Sequence, residues 1–203
     1  MLPRIHCITD FPSYDARALA VLEAVVQAGV DAVQVRAKSL PDREVLAFTR
    51  ALVDRLAGTP ATVIVNDRLD IALAAGAHGV HLGLDDLPVA EARRLAPAGF
   101  LVGGTCRHAG HAEDARAQGA DYAGVGPVHR TTTKTGLPAP IGLDALREAA
   151  GVLPAIAVSG ITAERVPEVM AAGAYGVAVA SAICRSPRPE LAARGLVDAV
   201  ARG

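Results

Sequence analysis

Along the 203 residues, short runs of Val, Ile, Leu and Ala alternate with longer stretches whose apolar positions recur every three or four residues. The short runs predict strands at 4–9, 32–36, 62–65, 79–82, 101–104, 122–125, 155–158 and 176–180. The longer ones predict helices, such as 42–56 with Val45, Leu46, Leu52 and Leu56 on one face, and 163–172 with Val166, Val169 and Met170. Several helical stretches end at a breaker: Ala28-Gly29, Ala75-Gly76, Gln118-Gly119, Ala172-Gly173. Glycine there takes the left-handed cap conformation before the next strand. A tag recurs at these points, as Gly29-Val30-Asp31, Gly76-Ala77-His78, Gly119-Ala120-Asp121 and Gly173-Ala174-Tyr175, each followed by an apolar run. Strand and helix alternating eight times imply a parallel sheet, and eight units allow closure into a (β/α)8 TIM barrel, one domain over residues 1–203. The alternative, an open doubly wound sheet, lacks its usual phosphate signature, G-x-G-x-x-G after the first strand.

Composition narrows the class. An apolar content of 51% suffices for one filled core, and with aromatics at 3% and no Trp that core must be aliphatic. Twenty Lys and Arg against 21 Asp and Glu leave a net charge of −1, so no whole-molecule field would draw in nucleic acid or an anionic membrane. Any anion site must be local. The start of the chain lacks the apolar run of a signal peptide, no stretch approaches a membrane span, and a cytoplasmic protein is expected. Cys7, Cys106 and Cys184 have no metal-ligand spacing and read as small buried hydrophobes.

In such a barrel the working rim is the carboxyl end of the strands. Gln34, Arg36 and Lys38 alternate by two at the end of the second strand and share one side, a fork and a point charge suited to a diphosphate. Asn66-Asp67 closes the third strand and Asp85-Asp86 follows the fourth; if the two are neighbours, their carboxylates converge where hard oxygen ligands hold a divalent ion. Thr105 ends the fifth strand. The sixth runs into a long connection, 129–140, carrying Thr131-Thr132-Thr133-Lys134 and expected to act as an active-site lid. Ser159-Gly160-Ile161 and Ala180-Ser181 end the last two strands, where barrels commonly cradle a monophosphate on backbone amides. One rim thus holds two expected anion sites, cations and a carboxylate-bound Mg²⁺ on one side and neutral backbone donors on the other. His6 and His81 lie within strands and read as satisfied interior groups, while His108 and His111 read as exposed loop residues. His129, at the mouth, is open to a proton-transfer role.

The stretch Asn66-Asp67-Arg68-Leu69-Asp70-Ile71-Ala72-Leu73, then Gly79-Val80-His81-Leu82-Gly83-Leu84-Asp85-Asp86-Leu87-Pro88, resembles the thiamine-phosphate synthase and thiazole tautomerase superfamily. So does Gly124-Val125-Gly126-Pro127 with Thr131-Thr132-Thr133-Lys134, and the likeness runs over nearly the whole chain. It implies that Gln34, Arg36, Lys38, Asn66, Thr105 and Lys134 bind a pyrimidine diphosphate and that Asp67 and Asp86 bind Mg²⁺. It further implies that Thr131, Thr133, Gly160, Ala180 and Ser181 contact a thiazole phosphate, with Arg36, Lys38 and Lys134 stabilising the departing diphosphate. The implied partners are those two small molecules; whether the barrel forms a homo-oligomer is left open. Departures from the synthase pattern are Ala37 for a glutamate, Leu84 for a glutamine, Ser159 for the first of two glycines, and His129-Arg130 for an aromatic followed by proline. Retention of Asp67 and Asp86 favours the synthase. A tautomerase using His129 and a non-catalytic thiazole-phosphate-binding protein are the alternatives.

Overall fold

The computed structural model describes residues 1–131, 133, 136 and 138–202. Its strands β1 (Ile5–Ile8), β2 (Ala32–Val35), β3 (Thr62–Asn66), β4 (Gly79–Leu82), β5 (Leu101–Cys106), β6 (Tyr122–Val125), β7 (Ala155–Val158) and β8 (Gly176–Val179) pair in chain order, all parallel. The last pairs with the first, so the expected barrel is closed. Outside lie α1 (Ala16–Gln27), α2 (Asp42–Arg55), α3 (Leu69–Ala75), α4 (Val89–Leu95), α5 (Ala109–Ala117), α6 (Gly142–Ala150), α7 (Val166–Ala171), α8 (Ser181–Cys184) and α9 (Pro189–Arg202). Helix α7 is shorter than the predicted 163–172, because residues 162–165 turn before it begins. No helix among the described residues is long and apolar enough to cross a membrane.

Strand periodicity separates two cores. Outward residues such as Val33, Val63, Val80, Val102 and Val177 pack against Leu22, Leu52, Ala72, Leu146 and Leu196 of the helices, all fully or nearly fully buried. Ala32, Ile64, Tyr122, Ile156 and Ala178 fill the barrel interior. Each large aliphatic side chain contributes about 1.5–3 kcal/mol by leaving water. Small residues on the helices let them lie close to the sheet, and Phe48 of α2 and Phe100 are buried in the same layer. Cys7 and Cys106 are buried and Cys184 partly so, and all three are free thiols.

The recurrent tag has a structural explanation. The four glycines have φ between +69° and +108°, and each following tag residue ties the foot of its strand to an earlier one. Asp31 accepts from the amides of Arg4 (2.9 Å) and Ile5 (2.6 Å), His78 Nδ1 from Val63 (2.9 Å), and Asp121 from Val102 (2.7 Å). Tyr175 Oη donates to the Leu2 carbonyl at 2.8 Å. These bonds satisfy backbone groups where the ladder has not yet begun, and so set the register of the barrel's foot. Asp31→Ala strips two amides of their acceptor and should lower the unfolding free energy by about 2 kcal/mol, with Asp31→Asn losing less. Urea denaturation midpoints of the two variants check this ordering.

Candidate active site

The inward face of the strands ends in two adjoining cavities. The inner one, about 340 Å³, is lined by Gln34, Arg36, Lys38, Asn66, Asp67, Asp86 and Thr105 above a floor of His6, His81 and Tyr122. The outer one, about 990 Å³, is lined by Thr131, Thr133, Ser159, Gly160, Ala180 and Ser181. Arg36, Pro127, Val158 and Ser159 border both. The residues expected to act on one rim therefore lie together, in the two groups expected. Lys134 lies outside the described residues; the described part of the long loop, including Arg130, Gly136 and Pro138, lines the outer cavity.

Local structure places the charged groups. Arg36 is fixed through its backbone: its amide donates to Thr9 Oγ1 (2.8 Å), and its carbonyl accepts from Tyr14 Oη (2.5 Å). Asp67 has a left-handed φ of +66°, with Arg68 N bonded back to the Asn66 carbonyl at 2.8 Å. That tight three-residue turn is uncommon and strained for a residue bearing a side chain, the kind of cost that persists where a site needs it. Its amide also donates to the His81 carbonyl (2.7 Å), pinning the turn to β4.

Asp86 approaches from that neighbouring strand. Its Oδ2 accepts from Gly83 N at 2.6 Å, a fold-back that a Cβ on Gly83 would obstruct. Burial, then the adjoining Asp67 carboxylate, raise the Asp86 pKa above the ordinary carboxylate value. Lys38 Nζ lies 3.0 Å from Asp67 Oδ2 and opposes that rise. Two carboxylates in mutual contact are a donor set that fits a hard divalent cation. No group of three or more His, Cys, Asp or Glu surrounds a common point among the described residues. A pair suits Mg²⁺, which takes one or two carboxylates and fills its octahedron with substrate phosphates and water.

The strand histidines are interior groups as expected, and one ring nitrogen of His6 departs from that expectation by lacking a protein partner among the described residues. His6 Nε2 donates to the Pro3 carbonyl at 3.2 Å, and burial lowers its pKa to about 4, so it is neutral. Its Nδ1 and the Tyr122 hydroxyl meet no protein partner among the described residues. Tyr122 stacks on His81 (ring centroids 5.6 Å apart) and meets His6 edge-on (5.4 Å), and His81 Nε2 is hydrogen bonded to Thr105 Oγ1 at 3.1 Å. Such a floor, aromatic with a few unspent polar atoms, suits a flat nitrogen heterocycle.

Residues 5–183 match the family described as Thiamine monophosphate synthase. The chain belongs to that family. It is 47% identical over 200 residues to the thiamine-phosphate synthase of Methanoculleus marisnigri, covering 97% of this chain and 95% of that protein. It is 46% identical over 184 residues to the thiamine biosynthesis bifunctional protein ThiM/ThiE of Symbiobacterium thermophilum, covering 90% of this chain but 38% of that longer one. The fold matches a solved thiamine phosphate pyrophosphorylase from Pyrococcus furiosus with TM-score 0.87 and 30% identity, over 98% and 96% of the two chains.

The strand ends lead one to expect neutral backbone donors on this side, but Arg130 and Arg165 also line the outer cavity. Its Asp10 is paired with Arg185 (2.7 Å), while Thr133 Oγ1 and Ser181 Oγ lie 2.8 Å apart across the mouth. His129 lines this cavity too, but its Nε2 faces Glu168 of α7 at 3.3 Å and it is absent from the inner wall. Burial, then the charge of Arg165, lower its pKa, with Glu168 opposing. His108 caps α5 and receives the amide of His111, more structured than the exposed loop residues expected. Sequence reasoning missed Arg107 on the inner wall, two residues beyond Thr105, although the alternation that linked Gln34, Arg36 and Lys38 would have found it.

A raised Asp86 pKa means that the folded state holds a proton which the unfolded state releases. In chelator the carboxylate pair therefore destabilises the fold as pH rises through and above the normal carboxylate range, and not below it. Asp86→Asn, which keeps an acceptor for Gly83 N, should unfold at higher temperature than the parent at pH 7 in EDTA. The difference should disappear near pH 3 in paired thermal melts.

Proposed function

We propose that the chain is a thiamine-phosphate synthase, joining hydroxymethylpyrimidine diphosphate to thiazole phosphate with release of diphosphate, in a Mg²⁺-dependent reaction. The observation that carries this reading is the contact of Asp67 and Asp86 beside Lys38 and Arg36, on a cavity that opens into a second one lined by hydroxyls and turn amides. Family membership and the full-length likeness to thiamine-phosphate synthases support it.

The pyrimidine would lie on the Tyr122, His81 and His6 floor with Gln34 at its edge, and its diphosphate would point to Arg36, Lys38 and Asn66. The bond from the methylene carbon to the diphosphate oxygen breaks, and the leaving group takes the electron pair. The thiazole nitrogen then supplies a pair to the ring-stabilised cation, forming the new C–N bond. Arg36 and Lys38 stabilise charge that grows on the leaving oxygen, which is where fixed cations lower a barrier most. Asp67 and Asp86 would hold Mg²⁺, whose bound form supplies further neutralisation of the diphosphate. The outer cavity holds the thiazole phosphate by Ser181, the threonines and the turn at Ser159-Gly160, and so provides proximity. No side chain needs to remove a proton for the bond to form. A tautomerase reaction at His129 is less well supported, since that ring is directed to Glu168. We infer that the protein works in the cytoplasm, a reducing compartment in which thiols such as Cys7, Cys106 and Cys184 stay free.

The test is a two-substrate assay with and without EDTA. Thiamine phosphate should form with Mg²⁺, and Asp67→Ala or Asp86→Ala should cost on the order of 100-fold or more in rate, equivalent to a few kcal/mol of lost charge stabilisation. An undiminished rate in EDTA and in both variants would overturn the metal assignment, and no product at all would overturn the function.

A further inference from the structure

We propose that Arg165 is a positioning residue for the phosphate of the second substrate, an inference that rests on the reading of the outer cavity given above. The turn after β7 carries two successive left-handed residues, Ser159 (φ +79°) and Gly160 (φ +67°). Both of its carbonyls are engaged by the protein. Ser159 O accepts from His129 N at 3.2 Å, and Gly160 O accepts from Arg165 Nη1 at 2.7 Å. In a planar trans peptide the N–H points opposite the C=O, so engaging each carbonyl fixes the direction of the next amide. Those amides belong to Gly160 and Ile161; both residues line the outer cavity, and neither amide has a protein acceptor among the described residues. Arg165 thus fixes the amide of Ile161 by pulling on the carbonyl behind it.

Charge accounting points the same way. Arg165 itself lines the cavity and makes no ion pair among the described residues, because the nearby Glu168 faces His129 and Asp10 is taken by Arg185. It is an exposed cation at the mouth of an amide-lined turn, and a guanidinium retains several donors after one bond to a carbonyl. Residue 165 therefore serves the phosphate in two ways, by orienting a neutral donor and by adding a positive field.

The experiment compares the parent with Arg165→Met and Arg165→Lys in steady-state assays that vary each substrate in turn. Arg165→Met should raise KM for the thiazole phosphate about tenfold, the scale of one charge-assisted hydrogen bond, with kcat and the KM for the pyrimidine diphosphate within twofold. Arg165→Lys should recover part of the loss. Affinity for the thiazole alcohol without phosphate, read by calorimetric titration, should be the same in all three proteins. An unchanged thiazole phosphate KM, or a matching loss of affinity for the alcohol, would overturn the proposal. If the parent forms no thiamine phosphate, the proposed function fails separately. Titration with inorganic phosphate then decides the role of Arg165: weaker binding by Arg165→Met supports it, and equal binding overturns it.

Discussion

The structure depends on bringing two carboxylates together that would separate in water. Asp67 reaches its place only through a left-handed turn pinned to β4, and Asp86 only by folding onto the Gly83 amide. The left-handed turn costs stability, and burial, then the neighbouring Asp67 carboxylate, add to the cost by holding a proton on Asp86 beyond its usual range. Closure of the barrel supports that expense. Because β3 and β4 are hydrogen-bonded neighbours with Asn66 paired to His81, the positions of the two turns are set by register rather than by loop chance.

The same register explains why the mouth divides into two cavities. From β2 to β5 the strand ends present cations, carboxylates and Thr105, and the interior beneath them is aromatic. From β6 to β8 they present hydroxyls and small residues whose backbone approaches the space closely. Arg36 and Ser159 stand on the shared border, so groups held in the two halves would meet without passing through solvent.

Much of this was legible in the chain. Short apolar runs matched all eight strands within two residues at either end, because a strand buried on both faces admits few polar side chains. Alternation by two placed Gln34, Arg36 and Lys38 on one wall, and parallel neighbours placed Asp67 by Asp86. The misses share a different cause. The floor of His6, His81 and Tyr122 is assembled from β1, β4 and β6, and no local spacing announces a contact among three distant strands. Likewise the tie from Arg165 to Gly160 depends on the path of a short turn, and the turn of His129 toward Glu168 depends on where α7 begins. The tag residues were visible as a repeat, but their role at the foot of the barrel needed the register to be known.

On the proposed function, the Asp67 and Asp86 pair, with Lys38 beside it, shares a hard cation with a diphosphate. The most direct measurement is calorimetric titration of the intact protein with Mg²⁺ in the presence of inorganic diphosphate, repeated with Asp67→Asn and Asp86→Asn. Mg²⁺ binding should depend on diphosphate and be lost or at least tenfold weaker in each variant, roughly 1.4 kcal/mol or more. Binding of equal strength in the parent and both variants would contradict this assignment.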